Sequence, residues 1–401
     1  MSDIVCLRAS SSNFDDICHL TEVSFHYDLA NTKYNLDFKY DNFFVLYNEQ
    51  SAISSGCITN TICQIDGVDL ETAAVGIITT HPAERGKGYG LELMKKLIKS
   101  AQEDGYDLSL VFPWLERWYA KVGCSSIHSS YRKIKLENLR FNCCVLNYQL
   151  RAFNAYSDAE ALLTIHQQFN KNINGTLKRE STHWAYRIED KGVVMVAQKD
   201  DMVVAYMVCK ALDANNTTGI YGLKAREFGC LDGHQQAIDA LFCAQVHWLE
   251  SAGFSEIYYE DVYDSSLVSQ LCPPPYQRLT NDTDIVNFAP DQYMVQMYKI
   301  LNIKSILRKL TNGWNYRLAL KGSCWQDIFQ IDSQDDFYVV RFIESGSSLK
   351  LEQSQFISLF LFGVTDWAGL NWNNTCTSRE NEAMHRLFPK RKFVYWDTDS
   401  F

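Results

Sequence analysis

The stretch Ile77-Ile78-Thr79-Thr80-His81-Pro82-Ala83-Glu84-Arg85-Gly86-Lys87-Gly88-Tyr89-Gly90 constrains the fold more than any other part of the chain. Thr72 to Thr80 reads as a strand, and His81-Pro82 ends it, because proline cannot donate to a ladder. From Tyr89 the apolar residues Leu91, Met94, Leu97, Ile98 and Ala101 recur at helical spacing, and Gly105 stops the helix. Strand, glycine turn and helix in this order demand a β–α unit whose helix packs back on its sheet. Gly86, Gly88 and Gly90 let the backbone approach a ligand. Their N–H groups and the start of the helix form an anion site, to which Arg85 and Lys87 add positive charge. A pyrophosphate fits such a cradle.

Several β–α turns share this chemistry, and spacing separates them. A phosphate-binding GxxxxGK[ST] loop fails, because Lys87 is followed by Gly88. A dinucleotide GxGxxG fingerprint begins at Gly86-Lys87-Gly88 but meets leucine at position 91. An RxxGxG pattern after a strand is satisfied by Arg85, Gly88 and Gly90. The bland alternative is a plain connection carrying surface charges.

Around this unit the first third reads as a strand (Ile4 to Arg8), a helix behind N-cap candidates Ser10 to Asn13, and a hairpin (Phe43 to Tyr47, Ala52 to Ile62). After the glycine turn come a strand (Asp107 to Phe112) and a helix (Leu115 to Val122) ended by Gly123. Leu150-Arg151-Ala152 echoes Leu7-Arg8-Ala9, and the same element order follows it. A hairpin spans Val193 to Cys209, a helix Ala237 to Ser251, and a strand Ile257 to Glu260. This middle third lacks the RxxGxG spacing, so duplication with one cradle is expected. Past Cys272-Pro273-Pro274-Pro275 the chain changes character. There it reads strand, helix (Ile303 to Leu310), strands at Tyr316 to Lys321, Cys324 to Ile331 and Phe337 to Glu344, and a helix at Glu352 to Phe362. The fold class is α+β, mixed α/β, with expected domains at 1–140, 141–290 and 291–401.

Composition bears on partners. A net charge of −10 and no long basic run argue against nucleic acid. Thirteen cysteines without a CxxC pair point to reduced thiols in a cytoplasmic protein, not to a metal site. Neither a signal peptide nor a run of about 18 apolar residues is present, so no membrane span is expected.

The strand-borne RxxGxG resembles the acetyl-CoA cradle of GNAT acetyltransferases. Three further stretches narrow the resemblance to the Eis ("enhanced intracellular survival") family. One is Trp118-Tyr119-Ala120-Lys121-Val122-Gly123; another is the degenerate middle repeat. The third is the closing Leu387-Phe388-Pro389 through Trp396-Asp397-Thr398-Asp399-Ser400-Phe401. The resemblance spans nearly the whole chain. It implies tandem GNAT folds, the first catalytic and the second degenerate, then a sterol-carrier-protein-like domain, assembled as a trimer or hexamer.

The resemblance also implies roles. Ile78, Thr79 and Thr80 would offer backbone groups to the pantetheine arm where the fourth strand splays from the fifth. Arg85, Gly86, Lys87, Gly88, Tyr89 and Gly90 would hold the pyrophosphate of acetyl-CoA. Tyr119 would protonate the leaving thiolate, and the Phe401 carboxylate would act as base, with no metal. Phe25, Tyr27 and Asp28 would line the acceptor pocket. A family member active on aminoglycosides carries acids where this chain has Tyr27 and Ser400, although Asp28 and Asp399 stand beside them, and His26 is an alternative base. The implied activity is transfer of an acetyl group to a primary amine of a small molecule, aminoglycoside- or polyamine-like, or of a lysine. A non-catalytic acyl-CoA or lipid-binding protein is the alternative.

Overall fold

The computed structural model describes residues 4–26, 40–49, 51–127, 130–135, 139–141, 147–171, 173–186, 188, 192–212, 222–254, 256–261, 276–278, 284–286, 296–317, 329–334, 337–343, 346, 348–363 and 378–389. The strands of the first sheet are β1 (Ile4–Arg8), β2 (Phe43–Asn48), β3 (Ser51–Ile65), β4 (Val68–Thr80) and β5 (Leu108–Val111), then the late strand Gln296–Ile300, and β6 (Ser125–Ile127) at the edge. β1 to β4 run antiparallel, as short connections require. β4 and β5 are parallel, because a helix crosses over between them.

Helix α1 (Phe14–Phe25) covers one face of this sheet, burying Ile17 and Leu20 against Phe43, Val45 and Cys57. Helix α2 (Tyr89–Glu103) covers the other, burying Leu93, Met94, Leu97, Ile98 and Ala101 against Ala73, Val75 and Val111. The apolar stripe of α2 therefore centres on Leu93, and Leu91, expected in it, is only half-buried. Two further helices, α3 (Glu116–Tyr119) and α4 (Ala155–Asn170), begin the stretches after β5 and after the Leu150 echo.

The second sheet has the order Gln149–Ala152, Val193–Lys199, Met202–Leu212, Gly222–Cys230, Glu256–Asp261, β7 (Ser130–Lys135), Asp284–Val286. Strand for strand, its order and sense match the first sheet, including the single parallel pair, here Gly222–Cys230 with Glu256–Asp261. The sixth strands are exchanged. β7 leaves the first third of the sequence to pair with Glu256–Asp261, and Gln296–Ile300 returns to lie between β5 and β6. β7 lies before the expected boundary at 140/141 but pairs in the second sheet, and Gln296–Ile300 lies after the one at 290/291 but pairs in the first. Periodicity gives a strand's existence but not its neighbour, and pairing between distant segments decides the unit to which it belongs.

In the C-terminal part, the helix Ile303–Arg317 runs past the expected Leu310 and includes Tyr316, where a strand was expected. Its buried Ile306, Leu310 and Trp314 hold the longer helix to the core, since packing outweighs local propensity. Three antiparallel strands follow (Phe329–Gln334, Phe337–Phe342, Ser348–Glu352), and helices Gln353–Phe362 and Ser378–Leu387. The expected Tyr316–Lys321 and Cys324–Ile331 strands otherwise fall mostly outside the described residues. This layer packs on the first sheet beside α1. Leu108, Leu110, Tyr298 and Ile300 share one core with Trp314, Phe356 and Phe388. Lys309 Nζ reaches the buried Asp107 carboxylate at 2.6 Å and reinforces that seam.

A second seam joins β3 to the segment that follows α4. Gly175 N–H donates to the Gln64 carbonyl (2.8 Å), Gln64 N–H to that of Thr176 (3.0 Å), and Lys178 N–H to that of Ile62 (2.9 Å). Behind it lies the buried Glu227, held bidentately by Arg179 at 2.9 and 2.8 Å. Burial alone would raise the Glu227 pKa, but the Arg179 guanidinium and the His166 ring outweigh it and hold the carboxylate below its usual range. Among the described residues no helix is long and apolar enough to cross a membrane. Nor do three or more His, Cys, Asp or Glu side chains group as metal ligands among them.

Candidate active site

The site begins where β4 parts from β5. Their parallel pairing runs from Thr72↔Leu108 to Val75↔Val111 and ends there, while β4 continues to Thr80. On its other side β4 stays paired with β3 up to Ser54↔Thr80, through a bulge. Across the bulge Ser55 pairs with Thr79 and Cys57 with Gly76, so that Gly56 opposes both Ile77 and Ile78. Ile77 takes φ +50°, a left-handed conformation that a β-branched side chain adopts only under constraint. Gly56 makes room for the bulge, since a Cβ there would collide with Ile78 Cδ1 and meet Leu97 Cδ1 at 3.0 Å. Among the described residues, the bend leaves the end of β4 without a strand on its β5 side, a wedge into which an extended ligand arm can add.

Hydroxyl groups clamp this bend. Ser55 N–H donates to Thr79 Oγ1 at 3.1 Å, and the Ser55 and Thr79 hydroxyls lie 2.7 Å apart. Ser54 Oγ donates to the Thr79 carbonyl and sits 3.2 Å from Thr80 Oγ1. The Thr80 carbonyl accepts from Arg85 Nε (3.2 Å) and from Ser24 Oγ (3.4 Å). Two of the carbonyls expected to face a ligand, those of Thr79 and Thr80, therefore already have partners within the protein. Ser54 and Ser55 were not singled out from the sequence. The run Ser54-Ser55-Gly56 inside a strand pattern was the available signal, since an interior glycine marks a bulge.

The glycine turn follows directly. Gly86 and Gly88 take φ +82° and +91°, and a Cβ on either would meet nothing within 4 Å, so conformation and not crowding selects glycine there. Gly88 caps α2, leaving the first N–H groups of a fifteen-residue helix open at the turn. Gly90 serves a different purpose: a Cβ there would lie 3.0 Å from Thr80 Oγ1 and 3.3 Å from Trp118 Cζ2. The end of β4, the start of α2 and the residue before Tyr119 therefore converge on Gly90. Lys87 pairs with Glu84 at 3.0 Å and borders a groove of about 320 Å³ with Ile4, Leu46, Tyr89, Glu92 and Lys96.

Tyr119 ends α3 and is followed by the tight turn Ala120–Val122, which Gly123 closes at φ +80°. Its ring stands edge-on to Trp118, centroids 4.7 Å apart, and packs in the same core as α2. Burial pushes its pKa up to about 12, with the neighbouring Cys124 adding to the rise, so the phenol stays protonated at neutral pH. A protonated phenol beside the wedge can donate to a developing thiolate.

Phe25 closes α1 with 52% of its surface exposed, and His26 beyond it is left-handed at φ 56°. The Ser24–Thr80 hydrogen bond ties this exposed end of α1 to the end of β4. Tyr27, Asp28 and Phe401 lie outside the described residues. Cys57 and Cys124 are buried free thiols with pKa values raised to about 12 by burial, which makes them poor nucleophiles.

Residues 7–127 match the family model described as an acetyltransferase (GNAT) domain, which covers the wedge, the glycine turn and Tyr119. No curated protein matches the chain. Among solved structures it is similar to a GCN5-related N-acetyltransferase from Anabaena variabilis (14% identity, TM-score 0.66, 98% of each chain covered). It is also similar to Eis1 from Mycobacterium abscessus (11%, 0.65, 99% of this chain and 100% of that one). A third neighbour is an Enterococcus faecalis protein described as a probable N-acyltransferase (12%, 0.64, 99% and 100%). At such identities these likenesses establish a shared mixed α/β, GNAT-like fold along the whole chain. The matched domain makes the chain an acyltransferase.

Proposed function

We propose that this protein binds acetyl-CoA and transfers its acetyl group to a primary amine in a ternary complex. The observation that carries the reading is the junction at Gly90, where the strand wedge, the anion-binding turn and the Tyr119 turn meet. The pyrophosphate would sit on the N–H groups of Gly86 to Gly90, and the pantetheine would extend along β4 past Ile78. The amine nitrogen attacks the thioester carbonyl and the carbon–sulfur bond breaks. The thiolate takes a proton from Tyr119, while the ammonium formed gives one up to a base. The Phe401 carboxylate is our candidate base, and Phe25, Tyr27 and Asp28 are candidates for the acceptor side. The repeated strand order supports reading the chain as two GNAT units, only the first with a cradle, with the C-terminal layer as a third unit.

The test is a thiol-release assay with acetyl-CoA against aminoglycosides, polyamines and lysine peptides, alongside calorimetric titration of acetyl-CoA. Gly90→Val is expected to weaken acetyl-CoA binding at least about tenfold, or roughly 1.4 kcal/mol, because the added atoms must displace Thr80 or Trp118. Binding without thiol release from any amine would favour a non-catalytic acyl-CoA-binding protein. A short peptide extension after Phe401 is expected to lower turnover about tenfold or more with acetyl-CoA binding intact. Full activity of the extended chain would remove the carboxylate from the mechanism.

A further inference from the structure

The strand Gln296–Ile300 does more than complete the first sheet. Its residues alternate, so Met297 and Lys299 face one side, and Tyr298 and Ile300 the other. Tyr298 and Ile300 enter the core shared with the C-terminal layer, whereas Met297 enters the core that holds Trp118, Tyr119 and Val122. Lys299 Nζ donates to the Val122 carbonyl at 2.8 Å. Val122 is the last residue of the turn that starts after Tyr119, and Gly123 closes that turn. The end of a helical turn leaves carbonyls without intrahelical partners, and a lysine there both satisfies one and complements the negative end of the dipole. Gly123 leaves the room this contact needs. A Cβ at Gly123 would collide with Lys299 Nζ and lie 2.8 Å from Gln353 Oε1 at the start of the helix Gln353–Phe362. One lysine, some 180 residues downstream of Tyr119 in the chain, thus caps the turn on which the candidate acid stands.

We propose that Lys299 is a positioning residue for Tyr119, capping the Tyr119–Val122 turn from the late strand so that the phenol is held toward the sulfur of the acyl donor. This inference rests on the Tyr119 role proposed above. The physical argument is that a short turn of one α-helical and one tighter segment has little stability of its own, and its core contacts fix position only while its end is held. Releasing the Val122 carbonyl frees the turn to unwind toward Gly123, and small displacements of a proton donor have large effects. The buried Cys124 amide bonds to the Tyr119 carbonyl at 3.3 Å, so unwinding would disturb the residue at both ends of the turn.

The experiment reads Tyr119 position without needing the acceptor. Free CoA is bound to the full-length protein, and the ionisation of its thiol is followed by the ultraviolet absorbance of the thiolate. A phenol donating to the sulfur stabilises the thiolate and lowers the bound thiol pKa. Tyr119→Phe is expected to raise that pKa by about one unit, roughly tenfold less thiolate at fixed pH. Lys299→Met should raise it by a similar amount, Lys299→Arg should restore the native value, and the Tyr119→Phe/Lys299→Met double variant should equal Tyr119→Phe alone. CoA affinity should change less than threefold throughout, since neither residue touches the glycine turn. If Lys299→Met binds no CoA, Lys299→Gln, which keeps a neutral donor, is compared with Lys299→Arg in the same way. No change with Tyr119→Phe would overturn the Tyr119 reading itself, and the inference with it. A shift with Tyr119→Phe but none with either Lys299 variant, or an additive double variant, would overturn the Lys299 inference alone.

Discussion

A chain ending at residue 290 is expected to lose acetyl-CoA binding completely, although it keeps the wedge, the glycine turn and Tyr119. The reason is the exchanged strand. Without Gln296–Ile300, β5 loses its partner on the side away from β4, and β6 loses the one neighbour it has in the sheet among the described residues. Met297 and Tyr298 are each 1% exposed, and Ile300 is buried as well. At about 1.5–3 kcal/mol for each buried apolar side chain, these three alone approach the 5–15 kcal/mol that separates a folded domain from its unfolded state. The helices that cover Leu108 and Leu110 would be lost with them. Circular dichroism and calorimetric titration on the 1–290 and 1–140 fragments check this. Either fragment folding cooperatively and binding acetyl-CoA with native affinity would show that the exchanged strand is dispensable.

Tyr119→Phe is expected to lower turnover about 10²-fold, near 2.7 kcal/mol in the barrier, with acetyl-CoA affinity within about twofold. The substitution removes one oxygen and leaves the edge-on packing against Trp118, so a fall in kcat can be assigned to the missing proton donor. The pH dependence has a definite sign. Burial raises the Tyr119 pKa to about 12, so the donor form is complete throughout the neutral range and is lost only as pH climbs toward 12. A descending alkaline limb at lower pH must then come from another group. Full proton transfer to a thiolate of ordinary pKa, about 8.5, would be uphill by roughly 5 kcal/mol. The thiolate in the same desolvated wedge is destabilised too, which narrows the gap, and hydrogen bonding in the transition state does not require complete transfer. Unchanged turnover in Tyr119→Phe would dismiss its acid role.

Much of the first third was legible because its signals are local. The strand ending at His81-Pro82, the glycine turn after it and the amphipathic helix from Tyr89 each follow from neighbouring residues, and the structure has all three; the positive φ of Gly86 and Gly88 came only with the structure. Gly90 was legible as part of the motif but not in its role, since its crowding comes from Thr80 and Trp118 on other elements. The Ser54–Ser55–Thr79 clamp was missed because serine in a strand has no distinctive pattern until its partner strand is known. Helix Ile303–Arg317 ran longer than expected because Trp314 gains from burial what a reading of Tyr316 as β-former left out.

The β–α unit, its glycine turn and the repeated element order could be read from the chain, because strand pattern, turn residues and helix periodicity are each written within about a dozen neighbouring residues. Which strands share a sheet was set by long-range pairing. Strand exchange depends on pairing between segments roughly 120 to 190 residues apart, and a strand's own pattern carries no record of its neighbour. That pairing brings Lys299 to the Tyr119 turn and makes a late segment of the chain part of a site whose motif lies entirely in the first third.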